Sequence, residues 1–396
     1  MKKIFFLAIF ATLLAAGCQK TEVINQVIPD GEPSMSFTTN MGKLTKAAED
    51  AGTVNLSNQD FRLWAYYVEE DPNRGAEANT IYDSMGNISV SDDNDEKEWG
   101  TTVAHFWPGK DKALRFFAVS ADSDTYGAEG KVKGLDAEDP NGDPEADTKV
   151  TIVPDTKTLT ITDFVVDHEN PDVDLMIADY EEAHQDSYKG TEFEKAAKLN
   201  FRHTLAKVEF NFVNTMALEG ETDPNEVIVQ HMYVTDIVTK GTVSVTGLSD
   251  KLTSDNWTPS AADEDKERFN GDYTKEATVT LPTGIEPAAN LTQYDGTVPQ
   301  GQQMVLTKQP KTYTTWLVIP QPVGTSAEES LNVVIAYLIG KRQFVATFPL
   351  YRDTATSWGP NQYIKYNVSL SPNMIGFSTT VVDWETTPSN GVDINN

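Results

Sequence analysis

Basic charge is scarce in this sequence: 31 Lys and Arg stand against 60 Asp and Glu over 396 residues, a formal net charge of −29. A field of that sign repels phosphate backbones, which bind proteins by exchanging counterions for Lys and Arg, and so argues against nucleic-acid binding. Cysteine is almost missing. With Cys18 alone, no disulfide forms within one chain and no cysteine cage can hold a metal. Catalytic signatures are missing too. There is no HExxH, no G-x-S-x-G elbow, no Walker loop and no G-x-G-x-x-G. The five histidines, His105, His168, His184, His203 and His231, fall in no zinc-type spacing. Long amphipathic helical patterns are also rare, which argues against all-α and doubly wound α/β folds. No enzyme, cofactor or metal site is expected.

What remains is a chain with 39% hydrophobic and 10% aromatic residues, enough to bury a core and long enough for two domains. Its first residues explain the lone cysteine. Lys2 and Lys3 are a basic start, residues 4–16 a short apolar run, and Leu14-Ala-Ala-Gly-Cys18 a small-residue cleavage site. The apolar run is too short to span a bilayer and reads as a secretory signal. It resembles the bacterial lipobox, which implies cleavage between Gly17 and Cys18 and lipid on the Cys18 thiol. Several acyl chains at ~0.8 kcal/mol per buried CH₂ then hold the mature chain on a membrane.

Residues 1–17 thus form a signal and 18–33 a polar leash with two prolines. Residues 35–39 alternate apolar and polar, as a half-buried strand does, and Lys43 and Lys46 follow in a polar loop. Strands are expected at 60–68, 102–107, 113–120, 149–153, 158–166 and 174–178. Stretches 69–100, 122–147 and 248–272 read as loops, and 183–197 as a short helix or loop. Further strands are expected at 199–213, 226–238, 241–247, 277–281, 304–307, 312–320, 331–338, 343–350, 362–370 and 375–384. Gly340-Lys341 marks a hairpin. About sixteen short strands at turn-punctuated spacing indicate antiparallel sheets stacked as two β-sandwiches in series, 34–190 and 191–396.

Two patterns invite a functional reading. Asp139, Asn141, Asp143, Glu145 and Asp147 alternate like calcium ligands, but Pro144 and Val150 occupy the positions where an EF-hand loop needs Gly and Glu. A solvent-exposed acidic insertion fits better. Trp64, Trp107 and Trp316 sit in apolar strands and read as core. Trp99, Trp257 and Trp358 lie near loops and are the candidates for surface contacts such as sugar stacking.

The ordered set of the lipobox, Thr45-Lys46-Ala47, FRLWAYYV (61–68), FWPG (106–109), LRFFAVS (114–120), DLMIA (174–178), LNFRHTLAKVEF (199–210), NQYIKYNVSL (361–370) and VVDWE (381–385) resembles the fimbrillin family. These are the FimA-like and Mfa-like subunits of type V pili. The resemblance implies two transthyretin-like β-sandwich domains and export to the outer membrane as a lipoprotein. It also implies proteolysis behind the first strand and entry of a neighbour's C-terminal strand into the vacated groove. Carried onto this sequence, the cut falls between Lys46 and Ala47, with Lys43 the second choice. The donor strand is 375–384, with Phe377, Val381 and Trp384 as pocket-filling side chains. The implied partners are other fimbrial subunits, the outer membrane through lipid, and surface ligands of host or microbe. The competing reading is an unprocessed, monomeric surface lipoprotein that binds glycans or serves as a pilus anchor or tip.

Overall fold

The computed structural model describes residues 37–39, 61–67, 80–89, 98–101, 113–120, 149–153, 156–166, 174–178, 181–184, 197–199, 201–218, 226–247, 252–271, 273, 283–286, 303–353, 355–371 and 374–383. All of them lie within 34–396, which forms one compact unit. The described residues are strands, turns and two short 3₁₀ turns, with no α-helix among them. The all-β reading holds.

The first sheet has nine strands and an unusual path. Ala197–Leu199 pairs with Phe37–Thr39, which pairs with Glu98–Thr101. The path continues through Thr80–Ser89, Phe61–Tyr67, Ala113–Ser120 and Met176–Ala178 to Phe201–His203. Its two ends are separated in sequence by Asn200 alone, so the ladders and the chain together form a ring of connections. Phe61–Tyr67 lies inside this ring, and Leu63, Trp64, Ala65 and Tyr66 are all buried. Both faces of the strand are therefore covered.

A second sheet orders Lys311–Val318, Ala206–Val213, Gln362–Ser371 and Met374–Asp383. It packs face to face on a five-stranded sheet ordered Lys266–Asn270, Val227–Val238, Asn332–Ile339 and Arg342–Pro349, with Met304–Val305 alongside Val227–Val238. Rings mesh here: Trp316 lies 5.5 Å from Phe269 across the sandwich and 5.2 Å from Phe210 within its own sheet, edge to face in both cases. A further four-stranded sheet orders Trp257–Pro259, Lys240–Thr246, Thr158–Val165 and Lys149–Val153. One apolar cluster runs through all of these, from Trp64 and Phe117 to Tyr366 and Val368.

The hairpin at Gly340-Lys341 forms as expected, with Ile339 opposite Arg342 and Gly340 at φ 57°, where a side chain would be strained. Other expectations need correction. Thr80–Ser89 and Glu98–Thr101 are strands inside the stretch expected to loop from 69 to 100. Trp257–Pro259 and Lys266–Asn270 are strands within 248–272. Glu181–His184 and Ala197–Leu199 are strands that overlap the two ends of 183–197, where a helix or loop was expected. Among the described strands two ladders are parallel, Phe37–Thr39 with Ala197–Leu199 and Ala206–Val213 with Gln362–Ser371. Thr158–Val165 pairs with Lys240–Thr246, and Ala197–Leu199 and Phe201–His203 belong to the ring. The expected strands at 102–107 and 277–281 lie outside the described residues.

Candidate functional site

The first stave of the ring in chain order is three residues long, as are Met176–Ala178, Ala197–Leu199 and Phe201–His203. Phe37–Thr39 runs parallel to Ala197–Leu199, with Phe37, Thr38 and Thr39 opposite Ala197, Lys198 and Leu199, and Phe37 also opposes Trp99. A strand in this place has partners on both edges, yet its short ladders give it few hydrogen bonds to lose. Lys43, Lys46 and Ala47 follow it in sequence and lie outside the described residues, as do Gly17, Cys18 and Trp384.

The expected donor strand sits at the other extreme of pairing. Met374–Asp383 is an edge strand and lies antiparallel to Gln362–Ser371 over ten residues. Ile375, Phe377, Thr379 and Val381 oppose Leu370, Val368, Tyr366 and Ile364, all four of which are buried. These four residues of the edge strand share the core-facing side. Phe377 is held there by stacks on Phe348 at 5.2 Å and Tyr366 at 5.6 Å, with the Arg352 guanidinium 4.5 Å above its ring. Ile375 and Val381 nevertheless remain 48% and 37% exposed. The core-facing row thus carries two apolar side chains with uncovered surface on an edge strand, the composition of a strand that can pair again.

Behind this hairpin, Lys207, Glu209 and Asn211 alternate in sequence with Val208, Phe210 and Phe212, the pattern of a half-buried strand with a polar face. The alternation is real, but Lys207 is 3% and Glu209 5% exposed. Burial is tolerated because the row is satisfied internally. Tyr363 donates its hydroxyl hydrogen to Glu209 Oε2, Asn211 Nδ2 donates to Glu209 Oε1 at 2.7 Å, and Thr312 Oγ1 donates to Asn211 Oδ1 at 2.9 Å. The Lys365 ammonium lies 3.6 Å from Glu209, and the Lys207 and Lys365 ammoniums lie 4.9 Å and 4.4 Å from the Tyr363 ring centre. Burial lowers the Lys207 pKa, partly opposed by the Glu209 and Asp174 carboxylates. Burial raises that of Tyr363, and Glu209 adds to the rise. The cluster is a closed polar network rather than an open site.

The remaining candidates resolve as structure. Trp257 and Trp358 are buried, correcting their assignment to surface contacts. Trp257 donates its indole hydrogen to Thr204 O at 2.7 Å, and Trp358 donates to the Tyr366 hydroxyl at 3.0 Å. Trp64 and Trp316 are core, as expected. The side chains of Trp99, Trp107, His105, His168 and His184 and the alternating acids from Asp139 to Asp147 lie outside the described residues. His203 is buried 2.6 Å from Asp174 Oδ2, and His231 is buried beside Asn270 at 3.3 Å, its pKa lowered chiefly by burial. Nothing in the sequence pairs His203 with Asp174, 29 residues before it. No helix of the described residues is long and apolar enough to cross a membrane.

A family model described as fimbrillin-like matches residues 45–384. The fimbrium subunit Fim1C of Phocaeicola vulgatus is 28% identical over 114 residues, 29% of this chain and 29% of that protein. The match thus spans under a third of the relative's length. A fimbrial protein from Bacteroides vulgatus, known from a crystal structure, shares the fold. It has a TM-score of 0.52 at 14% identity, covering 89% of this chain and 99% of that one.

Proposed function

The chain belongs to the fimbrillin-like family, and from that premise we propose that it is a subunit of cell-surface fimbriae that assembles by strand exchange. It is a fimbrial protein, not an enzyme. The observation that carries the proposal is the three-residue stave Phe37–Thr39, which closes the ring and is followed in sequence by Lys43 and Lys46. The precursor is lipidated on Cys18 after cleavage behind Gly17 and reaches the outer membrane. Proteolysis between Lys46 and Ala47, or behind Lys43, then frees the stave. Its departure leaves the backbone groups of Ala197–Leu199 and Glu98–Thr101 open to a neighbour's strand. Met374–Asp383 is the strand this chain offers in turn, through Phe377 and Val381, with Trp384 just beyond it. The division into 34–190 and 191–396 belongs to the same reading. In it, Thr158–Val165 and 197–203 are the strands that each half lends to the sheets of the other.

A tip position is the second reading, favoured by the ten-residue pairing that holds Met374–Asp383 in its own sheet. The glycan-binding alternative loses two of its candidate platforms with the burial of Trp257 and Trp358. Intact-mass and N-terminal analysis of protein released from the cell surface tests the proposal. A chain starting at Ala47 in SDS-resistant oligomers is expected. A monomer still beginning at lipidated Cys18 overturns it.

A further inference from the structure

Once the stave has gone, one wall of its slot has no ladder partner among the described residues. Ala197–Leu199 is the end of the sheet path, and Phe37–Thr39 is the strand it pairs with among the described residues. Three residues cannot hold an extended conformation unaided, because the conformational entropy recovered on release is not opposed by any ladder. The continuation of the same stretch is, by contrast, densely tied. His203 Nδ1 lies 2.6 Å from Asp174 Oδ2. The Thr204 amide and hydroxyl both donate to Leu175 O, at 2.9 and 2.8 Å. Trp257 Nε1 donates to Thr204 O at 2.7 Å, and the Asn361 amide donates to Leu205 O at 3.0 Å. Asp174, Leu175, His203, Thr204 and Leu205 are all buried, so these bonds act with little competition from water. The tie begins two residues beyond Leu199, about 7 Å along an extended chain, where Phe201–His203 pairs with Met176–Ala178, and the side-chain bonds follow from His203 onward.

We propose that Asp174, His203 and Thr204 form a clamp that keeps the Ala197–Leu199 wall in place after the stave leaves. The clamp holds the slot open at the width of a single strand. This rests on the strand-exchange reading. The slot's walls are fixed about two strand spacings apart, near 10 Å, and its occupant is an extended segment presenting backbone N–H and C=O on both edges. Asp174, His203 and Thr204 are positioning residues: they touch Leu175, Trp257 and one another rather than the incoming strand. Without them, the wall collapses when the stave departs, and each incoming strand must rebuild it.

The test uses the full chain with a site-specific protease sequence replacing residues 44–47, folded first and cleaved afterwards. Fluorescent peptides with the sequences of residues 34–40 and 374–383 are the probes, and anisotropy reads their capture. Unaltered, cleaved protein is expected to capture at least one of them. Thr204→Val and His203→Gln are expected to lower that affinity at least tenfold, with Thr204→Val the milder change in the uncleaved fold. Thr312→Val is the control, since it removes a side-chain bond in the other sheet, and it should leave capture within twofold. Capture by the clamp variants within twofold of the parent overturns the clamp and leaves strand exchange standing. An equal loss in Thr312→Val reduces the effect to global stability and also overturns it. Failure of the parent to capture either peptide overturns strand exchange itself, and the clamp with it. If His203→Gln does not fold uncleaved, Thr204→Val alone decides.

Discussion

Tyr366 shows how much one side chain carries in this fold. Its ring stacks on Phe210 at 5.0 Å and on Phe377 at 5.6 Å, and its hydroxyl receives the Trp358 indole hydrogen. Burial pushes its phenol up to about 12, with the Trp358 bond and the Arg352 charge pulling the other way. The unfolded phenol ionises near 10, so between about pH 10 and 12 the unfolded chain has shed a proton that the folded chain still holds. Stability falls as pH rises through that window, by about 3 kcal/mol for a shift of this size. Tyr363, also raised, acts with the same sign. Tyr366→Phe is expected to cost about 1–3 kcal/mol at neutral pH, because the buried Trp358 N–H loses its acceptor. It should also flatten the alkaline decline. Urea midpoints measured from pH 8 to 11.5 check both. His231 acts at the other end. Burial holds its pKa below the unfolded value, so its contribution is present above about pH 6.5 and lost as pH falls through it.

Elements here are fixed by neighbours far along the chain, and Gly271 is a point where that is measurable. A Cβ at Gly271 would lie 2.5 Å from the Tyr313 ring and 2.7 Å from Met232, between residues of the two facing sheets. Gly271→Ala is expected to destabilise by about 1–3 kcal/mol through overpacking, read as a lowered urea midpoint at unchanged m-value. Nothing local announces this, since Asn270-Gly271 reads as a loop in sequence. The same holds for Thr80–Ser89. Its apolar residues Ile81, Tyr82, Met85 and Ile88 follow no period of two, and its strand form is supplied by Phe61–Tyr67 and Glu98–Thr101 on its two sides. The legible elements were those whose own pattern sufficed: the Gly340 hairpin, the alternation of Val208, Phe210 and Phe212, and the long runs ending the chain. The stave was legible as Met35 to Thr39, but its parallel partner Ala197–Leu199 was not, because nothing in either segment names the other. The Asp174–His203 pair was hidden for the same reason. Trp257 looked exposed beside its Ser, Pro and Asp neighbours, yet its indole hydrogen bonds a carbonyl in the clamp.

For the whole molecule the open choice is between a subunit that both accepts and donates and one that only accepts. Donation by Met374–Asp383 breaks its ladder with Gln362–Ser371 and the Phe377–Phe348 stack, and both are recovered only if the acceptor offers an equal ladder. A covalent lock separates the two cases. Lys365 and Thr380 are directly opposed across this hairpin, and opposed antiparallel positions have Cα atoms about 4.5–5.5 Å apart, within disulfide reach. With Cys18 the lone native cysteine and committed to lipid in the proposed pathway, a Lys365→Cys, Thr380→Cys pair has no competing thiol once Cys18 is modified. Oxidised, that chain retains its slot but cannot release its strand. Added to processing protein, it is expected to shorten SDS-resistant ladders in proportion to its dose, and reduction should restore them. Ladders of unchanged length, with the locked chain incorporated once per polymer just as the unlocked chain is, would place this subunit at a tip. There the exposed surface of Ile375 and Val381 would stay uncovered rather than pass to a neighbour.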